Sequence, residues 1–450
     1  MIMRKIFGIF TLIALTLMFI SCAGSRKDTG TVVTFADKEV QEEVNRLKGK
    51  IEENPNNMEY RRQLAEIYSH NGEGFEAMHV LEQSFQIDPN DSESKYLYAE
   101  IAMSVGEKLK AFQAYKDVLQ GSSGEDYLSR IGPKFTDAFE VTKIVSSPAN
   151  EAFGRFSKSG DKIIYQSDQK GNWDIFEYNI TAQITNQLTN SPYHEENPDY
   201  SPNGNVIVFT STVEDHRDVD YDQKLRDIFI KDLKTGRETN LTTNGSNDWR
   251  PSYSSDGKYI TFISERSDLR DVPFYELHGD IFIMENDGRF QLQITKDMGN
   301  CGGPSIAPGS TEATGTVYFD SYKTGNYEIY KTNFKGENTR QITFYPASQD
   351  VSPCISPSGD KIVFFSDRDD NYEIYMMNSD GSAAQRLTAN PADDLNPVFS
   401  PDGSKVLFHS NRDGNYDLFM IDLTQQAKQL YLYEVVAKID GAINLIQTSE

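Results

Sequence analysis

Residues that could hold a metal or transfer protons are sparse in this chain. Of its six histidines, His194, His216 and His278 are predicted to lie on one face of the fold, where imidazoles and carboxylates could hold a transition metal. They are weak candidates because histidine, the commonest ligand of such metals, is scattered here. The sequence contains no G-x-S-x-G elbow, Walker loop or H-E-x-x-H motif. We therefore predict no cofactor, no metal site and no catalytic residue.

Carboxylates are the most abundant charged side chains of this chain. The chain has 68 Asp and Glu residues against 44 Lys and Arg residues, which gives a net charge of −24. This charge excludes nucleic acid as a partner, because phosphate binding requires a basic surface. Acidic and aromatic side chains could instead bind a basic protein or a cation. The residues that we predict for a partner-binding face are Glu195, Glu196, Asp215, Asp220, Tyr221, Asp248, Arg270, Phe274, Tyr275, Asp350, Asp393 and Asp394.

The three cysteines are too few to form a disulfide framework. Cys301 and Cys354 could pair in an oxidising compartment, but two unpaired, buried thiols are the favoured interpretation. Cys22 stands apart from both, because it directly follows a segment with the layout of a secretory signal.

Residues 1–21 combine a basic start with an apolar run that is too short to span a bilayer comfortably. The F-I-S-C sequence at residues 19–22 resembles a bacterial lipobox, with an apolar residue, a small residue and then cysteine. The resemblance implies that Cys22 is lipidated after cleavage of the signal peptide. Because no Asp follows Cys22, it also implies transfer to the outer membrane. Residues 22–37 are polar and are predicted to form a tether.

A 34-residue repeat follows the tether. The N-P-N-N sequence at residues 54–57 recurs as D-P-N-D at residues 88–91, and Gly72 and Gly106 occupy equivalent turn positions. The pattern resembles tetratricopeptide repeats and predicts a helical module over residues 38–139. Such repeats present a concave surface to peptides. A spacer that only packs against the next domain is an equally good interpretation.

A second repeat fills the rest of the chain. An acidic-aliphatic-aromatic step recurs six times between residues 174 and 419, at intervals of 44 to 53 residues. Turn sequences such as Ser-Pro-Asp-Gly at residues 400–403 separate short strands within each unit. Four strands in such a period are typical of a propeller blade, so the sequence predicts six blades over residues 140–425.

This repeat resembles that of the TolB-type propeller, which combines the Ser-Pro-Asp-Gly turn with an Arg-Asp-Gly-Asn segment and an Asp-Ile-Tyr step. The predicted fold is multidomain, with an α-helical tetratricopeptide module followed by an all-β six-bladed propeller. The register of residues 141–146 predicts an outermost strand that completes the last blade. Residues 426–450 are predicted to be a C-terminal extension, with either a strand at residues 430–433 or a tail.

Two expanded segments, residues 212–226 and 265–279, lie between the second and third strands of their blades, on the same side as the links between blades. The resemblance implies a non-enzymatic, membrane-anchored scaffold of the bacterial envelope, an outer-membrane lipoprotein facing the periplasm. It implies envelope proteins as partners, including peptidoglycan-associated or OmpA-like ones. The alternative is a propeller that binds glycans, or cleaves them as a metal-dependent lyase, through the histidines or an aromatic platform at Phe274 and Tyr275.

Overall fold

The computed structural model describes residues 33–273, 276–369, 371–428 and 431–449. Two compact units are present, a helical unit of residues 33–136 with 431–449 and a strand-rich unit of residues 137–428. Cys22 and the predicted signal segment lie outside the described residues. Within the described ranges, no helix combines the length and apolar character needed to cross a membrane.

The helical unit contains pairs of adjacent helices. Its helices are α1 (Lys38–Glu53), α2 (Met58–His70), α3 (Gly74–Ile87), α4 (Ser92–Ser104), α5 (Lys108–Gln120), α6 (Gly124–Ile131) and α7 (Leu432–Ser449). The side chains of Asp37, Asn57 and Asp91 cap the N-termini of α1, α2 and α4 by accepting backbone N–H groups. Gly72 and Gly106 have positive φ angles directly after α2 and α4, a conformation that glycine adopts without steric cost.

The C-terminal segment corrects one expectation. A strand or a tail was expected near residues 430–433, but α7 begins at Leu432 and runs to Ser449. Val435, Ile439 and Ile443 follow the helical repeat of four and are buried in the core of the helical unit. The tyrosines beside Leu432 favour a strand locally, and this apolar periodicity overrides that preference.

Six four-stranded antiparallel sheets form the second unit. Blades 1 to 3 contain β2 (Glu151–Phe156), β3 (Lys162–Ser167), β4 (Asp174–Asn179) and β5 (Ile184–Gln187); β6 (Glu195–Tyr200), β7 (Val206–Ser211), β8 (Asp227–Asp232) and β9 (Glu238–Asn240); and β10 (Asp248–Tyr253), β11 (Tyr259–Ser264), β12 (Asp280–Glu285) and β13 (Leu292–Gln293). Blades 4 to 6 contain β14 (Cys301–Ile306), β15 (Thr316–Ser321), β16 (Glu328–Asn333) and β17 (Arg340–Gln341); β18 (Asp350–Ile355), β19 (Lys361–Ser366), β20 (Glu373–Asn378) and β21 (Gln385–Arg386); and β22 (Asp394–Phe399), β23 (Lys405–Ser410), β24 (Asp417–Gln426) and β1 (Phe139–Val145). The prediction of a helical region followed by a six-bladed propeller is confirmed.

Ring closure also follows the prediction. The first strand, β1, pairs antiparallel with β24 and is the outermost strand of blade 6. In blades 1 to 5 a threonine hydroxyl of the Leu/Ile-Thr step donates to the acidic residue that begins the third strand, as Thr343 does to Glu328 at 2.6 Å. In blade 6 the Lys143 Nζ of β1 donates instead to Asp417 at 2.8 Å. The first and last strands of the propeller are thus joined by both backbone and side-chain bonds.

An aromatic pair lies at the centre of every blade. One ring comes from the second strand and one from the third, with centroids 5.7 to 6.1 Å apart. The pairs are Tyr165–Phe176, Phe209–Phe229, Phe262–Phe282, Phe319–Tyr330, Phe364–Tyr375 and Phe408–Phe419. This repeated packing explains the aromatic residue of the acidic-aliphatic-aromatic step.

Candidate partner-binding face

One side of the propeller carries the long connections, and we call it the loop face. Because strands alternate in direction, the connections between second and third strands lie on the same side as the links between blades. The loop face consists of residues 146–150, 168–173, 188–194, 212–226, 241–247, 265–279, 294–300, 322–327, 342–349, 367–372, 387–393 and 411–416, taken where the structure describes them. The predicted face residues that the structure describes lie on these connections or at the strand ends beside them.

Three of the predicted acidic residues are buried in ion pairs. Asp248, Asp350 and Asp394 begin the innermost strands of their blades and are fully buried. Each accepts a hydrogen bond from an arginine 18 residues later in the chain, at 2.6 to 2.8 Å. These arginines are Arg266, Arg368 and Arg412. The three carboxylates therefore hold the loop ends against the blades and are not exposed to a partner.

Glu195 occupies the same position in blade 2, but no arginine of the described residues forms an ion pair with it. It is buried and accepts a hydrogen bond from the Ser191 hydroxyl. Among the described residues its Oε2 atom has no hydrogen-bond partner. Burial raises the pKa of Glu195 to about 7, although the Ser191 hydroxyl opposes this change. This carboxyl titrates near neutral pH.

The residue just before each innermost strand also has a repeated role. The His194 Nδ1 atom accepts the backbone N–H of Trp173 at 3.3 Å, and the Asp393 Oδ1 atom accepts that of Tyr372 at 3.2 Å. Asn247 has the equivalent role towards Arg226. His194 and Asp393 thus fix the loop face from within.

Blade 2 brings three of the predicted residues together. The rings of His194 and Tyr221 lie 4.2 Å apart, and the Tyr221 hydroxyl donates to Glu196. Sequence analysis missed the fourth member, Arg226, whose Nε donates to Glu196 Oε2 at 2.9 Å and whose guanidinium lies over the Tyr221 ring. Burial, followed by the Glu196 charge, raises the pKa of Tyr221, while burial lowers that of His194. The cluster closes the base of the 212–226 loop.

Comparison of neighbouring blades shows how Arg226 could have been found. The two expanded loops are offset by 53 residues, which aligns Arg226 with Gly279 and Glu196 with Trp249. A Cβ atom on Gly279 would lie 3.1 Å from the Trp249 ring. Blade 3 therefore has an indole ring above a glycine where blade 2 has the buried Glu196–Arg226 ion pair.

Both expanded loops are closed by the same clamp. Asp215 accepts hydrogen bonds from the Arg217 side chain and from the Leu225 N–H at 2.7 Å. Asp268 is bound in the same way by Arg270 and by the N–H of His278 at 2.7 Å. The arginine contacts are the largest effect on both carboxyls and hold their pKa values well below the usual range. The clamps order the loops before any partner binds.

Two exposed residues lie at the tips of these clamps. His216 is exposed between Asp215 and Arg217, and Leu269, between Asp268 and Arg270, is 91% exposed. Asp220 is exposed where it precedes the short 3-10 helix Tyr221–Gln223. Phe274 and Tyr275 lie outside the described residues.

An aromatic patch on blade 4 was missed by sequence analysis. It consists of Tyr322, Phe344 and Tyr345, which are 42%, 68% and 45% exposed. Asn326 donates to the Tyr345 carbonyl at 3.1 Å, and the Arg368 guanidinium lies 3.8 Å from the centre of the Tyr345 ring. After the Leu/Ile-Thr step the other blades carry Asn190, Thr243, Lys296 and Ala389 where blade 4 has Phe344. The exposed ring is thus a departure from the repeat, and that departure is the signal that could have revealed it.

The central channel is crossed by Arg250. This residue has a positive φ, as do the third residues of the other innermost strands. Its Nη2 atom donates to Ser352 Oγ at 2.6 Å and to Asn396. The remaining cavity has a volume of about 30 Å³, enough for one water-sized group. This cavity is too small for a sugar or a peptide.

The three candidate histidines are placed separately. His194 is bound within the blade 2 cluster, His216 is exposed, and His278 is half-buried beside the Asp268 clamp. In the part of the chain that the structure describes, no three His, Cys, Asp or Glu residues are grouped as metal ligands. Cys301 and Cys354 are free thiols.

Comparisons with known proteins agree with this architecture. Residues 346–440 match the family model described as the TolB β-propeller domain. This segment contains blade 5 and three of the four strands of blade 6, so that part of the ring is similar to a TolB β-propeller domain.

Two curated relatives match part of the chain. An uncharacterized protein of Agrobacterium fabrum is 32% identical over 130 residues, which cover 29% of this chain and 40% of that protein. A TolB homolog of Chlorobaculum tepidum is 28% identical over 149 residues, which cover 32% of this chain and 29% of that protein. The chain spans less than half the length of either relative.

Two solved structures are similar to part of this chain. TolB from Acinetobacter baumannii is 17% identical with a TM-score of 0.43, and the match covers 73% of this chain and 70% of that one. Oligogalacturonate lyase from Vibrio parahaemolyticus is 16% identical with a TM-score of 0.44, and the match covers 64% of this chain and 95% of that one.

Proposed function

We propose that this protein is a non-enzymatic scaffold of the bacterial envelope that binds another protein through its loop face. The observation that carries the proposal is the aromatic patch of Tyr322, Phe344 and Tyr345, on the side of the propeller that also carries the two clamped loops and the exposed Leu269. Exposed aromatic residues on an ordered scaffold are typical of the centres of protein interfaces. The TolB homolog among the relatives supports an envelope protein as the partner.

The patch can be tested with a matched pair of variants. Phe344→Ala removes its most exposed ring, whereas Phe290→Ala removes a ring that is 74% exposed in the turn between β12 and β13, on the opposite side. Affinity isolation after crosslinking in cells should recover the same envelope proteins with the wild type and with Phe290→Ala. We expect Phe344→Ala to reduce recovery about tenfold or more, in line with the loss of an interface anchor. Equal recovery with both variants would contradict the proposal.

Membrane attachment through Cys22 is a second part of the proposal. The lipobox resemblance at residues 19–22 supports it, and a lipidated cysteine with more than one acyl chain would be stably anchored. Cys22→Ser should move the protein from the membrane fraction to the soluble fraction, while Cys354→Ser should leave it on the membrane. Membrane attachment of the Cys22→Ser variant would contradict the anchor.

The helical unit is proposed to be a tetratricopeptide module that binds a second partner. The 34-residue period and the adjacent helix pairs α2–α3 and α4–α5 support this assignment. Deletion of residues 38–136 together with 431–449 should remove one set of crosslinked proteins and keep the set that depends on Phe344. If the deletion removes neither set of crosslinked proteins, the helical unit acts as a spacer and the second binding site is contradicted.

A further inference from the structure

The two clamped loops carry uncompensated negative charge. Their ion pairs join Asp215 to Arg217 and Asp268 to Arg270. Lys224 donates to backbone carbonyls within its own loop. Several further carboxylates of these loops are exposed and make no ion pair among the described residues. They are Glu214, Asp218, Asp220, Asp222 and Asp271.

Hydrogen bonds connect the two loops to each other. The side chain of Asn247 accepts the Arg226 N–H at 3.2 Å, and its backbone carbonyl accepts the Glu265 N–H at 3.1 Å. One link residue thus holds the end of the first loop and the start of the second. The acidic loops of blades 2 and 3 form a continuous surface.

A second link residue joins this surface to the aromatic patch. The Asn300 side chain accepts the Gly279 N–H at 2.8 Å and donates to the Tyr327 hydroxyl at 2.9 Å. The Tyr327 ring packs against Tyr322, with centroids 5.2 Å apart. The acidic loops and the patch are therefore neighbouring parts of one ordered face.

The charge on this face is uneven across the blades. On the patch side, Lys296 and Lys323 are exposed together with one carboxylate, Asp297, whereas blades 2 and 3 display the five unpaired carboxylates. A partner seated on the patch would place its flank over the acidic loops. Opposite charge on that flank speeds association, while like charge there would exclude the partner.

We propose that the partner is a protein whose contact surface carries lysine or arginine residues next to an apolar anchor. This inference rests on the proposed function and adds the chemistry of the partner. The anchor packs on Tyr322, Phe344 and Tyr345, and the basic residues lie over the loops of blades 2 and 3. The patch sets how long the complex lasts, whereas the loops set how fast it forms.

A random-peptide display library is a suitable probe, because it assumes nothing about charge. Selection on the full chain is compared with selection on Phe344→Ala. Enriched peptides should contain an aromatic or aliphatic anchor with several lysine or arginine residues. Their association rate should fall at least about tenfold between about 50 mM and about 500 mM NaCl, because salt screens exposed charges.

Two charge-reversed variants separate local binding from the overall acidity of the protein. Glu214→Lys/Asp218→Lys changes the loop face, whereas Glu312→Lys/Glu337→Lys makes the same change in net charge at exposed turns on the opposite side. The first variant should slow association with the selected peptides about tenfold, and the second should leave it unchanged.

The outcomes distinguish the two proposals. Peptides that depend on Phe344 but show no basic bias and no salt effect would overturn the basic partner and leave protein binding intact. Equal slowing by both charge-reversed variants would also overturn it, because the effect would then come from net charge. Selection of the same peptides on the wild type and on Phe344→Ala would contradict the proposed function itself.

Discussion

The buried carboxyl of Glu195, at the start of an innermost strand, should make the stability of the propeller depend on pH. Burial raises the pKa of Glu195 to about 7, above its ordinary value of 4.5. The folded state therefore binds a proton more tightly than the unfolded state in this range. The free energy of unfolding should fall as pH rises from 4.5 to about 7, and the full cost should persist above that.

Glu195→Gln tests this at a single residue. The neutral amide removes the buried charge, so the variant should be more stable than the wild type at pH 8 and should respond less to pH between 5 and 8. Urea unfolding at several pH values measures both effects. Glu312→Gln, at an exposed position on the other side, should behave like the wild type. A Glu195→Gln variant with the wild-type pH profile would rule out this carboxyl as the source.

The buried ion pairs lead to a second prediction. The Arg368 Nη2 atom lies 2.6 Å from Asp350 Oδ1, and Asp350 is fully buried. Arg368→Met would leave that carboxylate without compensation and should lower the free energy of unfolding by about 3 kcal/mol. The double variant with Asp350→Asn should recover part of the loss, because it removes the stranded charge. Urea unfolding in which the single variant matches the wild type would contradict this role.

At this scale the sequence predicted where acidic residues lie but not what they contact. Asp248, Asp350 and Asp394 are each followed 18 residues later by an arginine, a spacing visible in the repeat. Its recurrence in three blades indicates a structural pair, because a partner-specific site need not be repeated from blade to blade. Phe344 and Tyr345 do not follow the repeat, because the equivalent positions of the other blades carry polar or small residues. Such a departure indicates a function specific to one blade.

At the scale of elements, the strands and turns of the blades could be predicted because each blade repeats the same local chemistry. The helix α7 could not, because it has no copy elsewhere and its first residues favour a strand. The helical conformation of α7 depends on apolar residues four positions apart, which are buried in the core of the helical unit. The clamps of the expanded loops could not be predicted from the sequence either, because they join residues ten positions apart within irregular segments.

The packing of α7 gives a prediction about the helical unit. Ile439 is fully buried, so Ile439→Ala should destabilise that unit by about 3 kcal/mol through the lost contacts and the cavity left behind. Tyr433, on the same helix, is 68% exposed, and Tyr433→Ala should have little effect. Hydrogen exchange in α5 and α6 should speed up in the first variant and stay unchanged in the second. Unchanged exchange in both would show that α7 adds nothing to the stability of the unit.

At the scale of the whole molecule, the chain contains a closed propeller and a helical unit. The helical unit is built from the two segments that precede and follow the propeller in the sequence. The pairing of β1 with β24 joins the first strand of the propeller to its last blade, so the ring is closed beneath its loop face. Arg250 crosses the channel, and the cavity beside it has the volume of a water-sized group. The ordered loops, the aromatic patch and the uneven charge all lie on the loop face.

The lysines of the propeller allow a direct test of which side binds. Lys170, Lys296 and Lys323 are exposed on the loop face, whereas Lys158, Lys234, Lys258 and Lys335 are exposed in turns on the opposite side. Amine-reactive crosslinking in cells, followed by mass spectrometry of the isolated protein, would identify the lysines joined to a partner. The account predicts intermolecular crosslinks at the three loop-face lysines. Crosslinks confined to the four opposite lysines would contradict it.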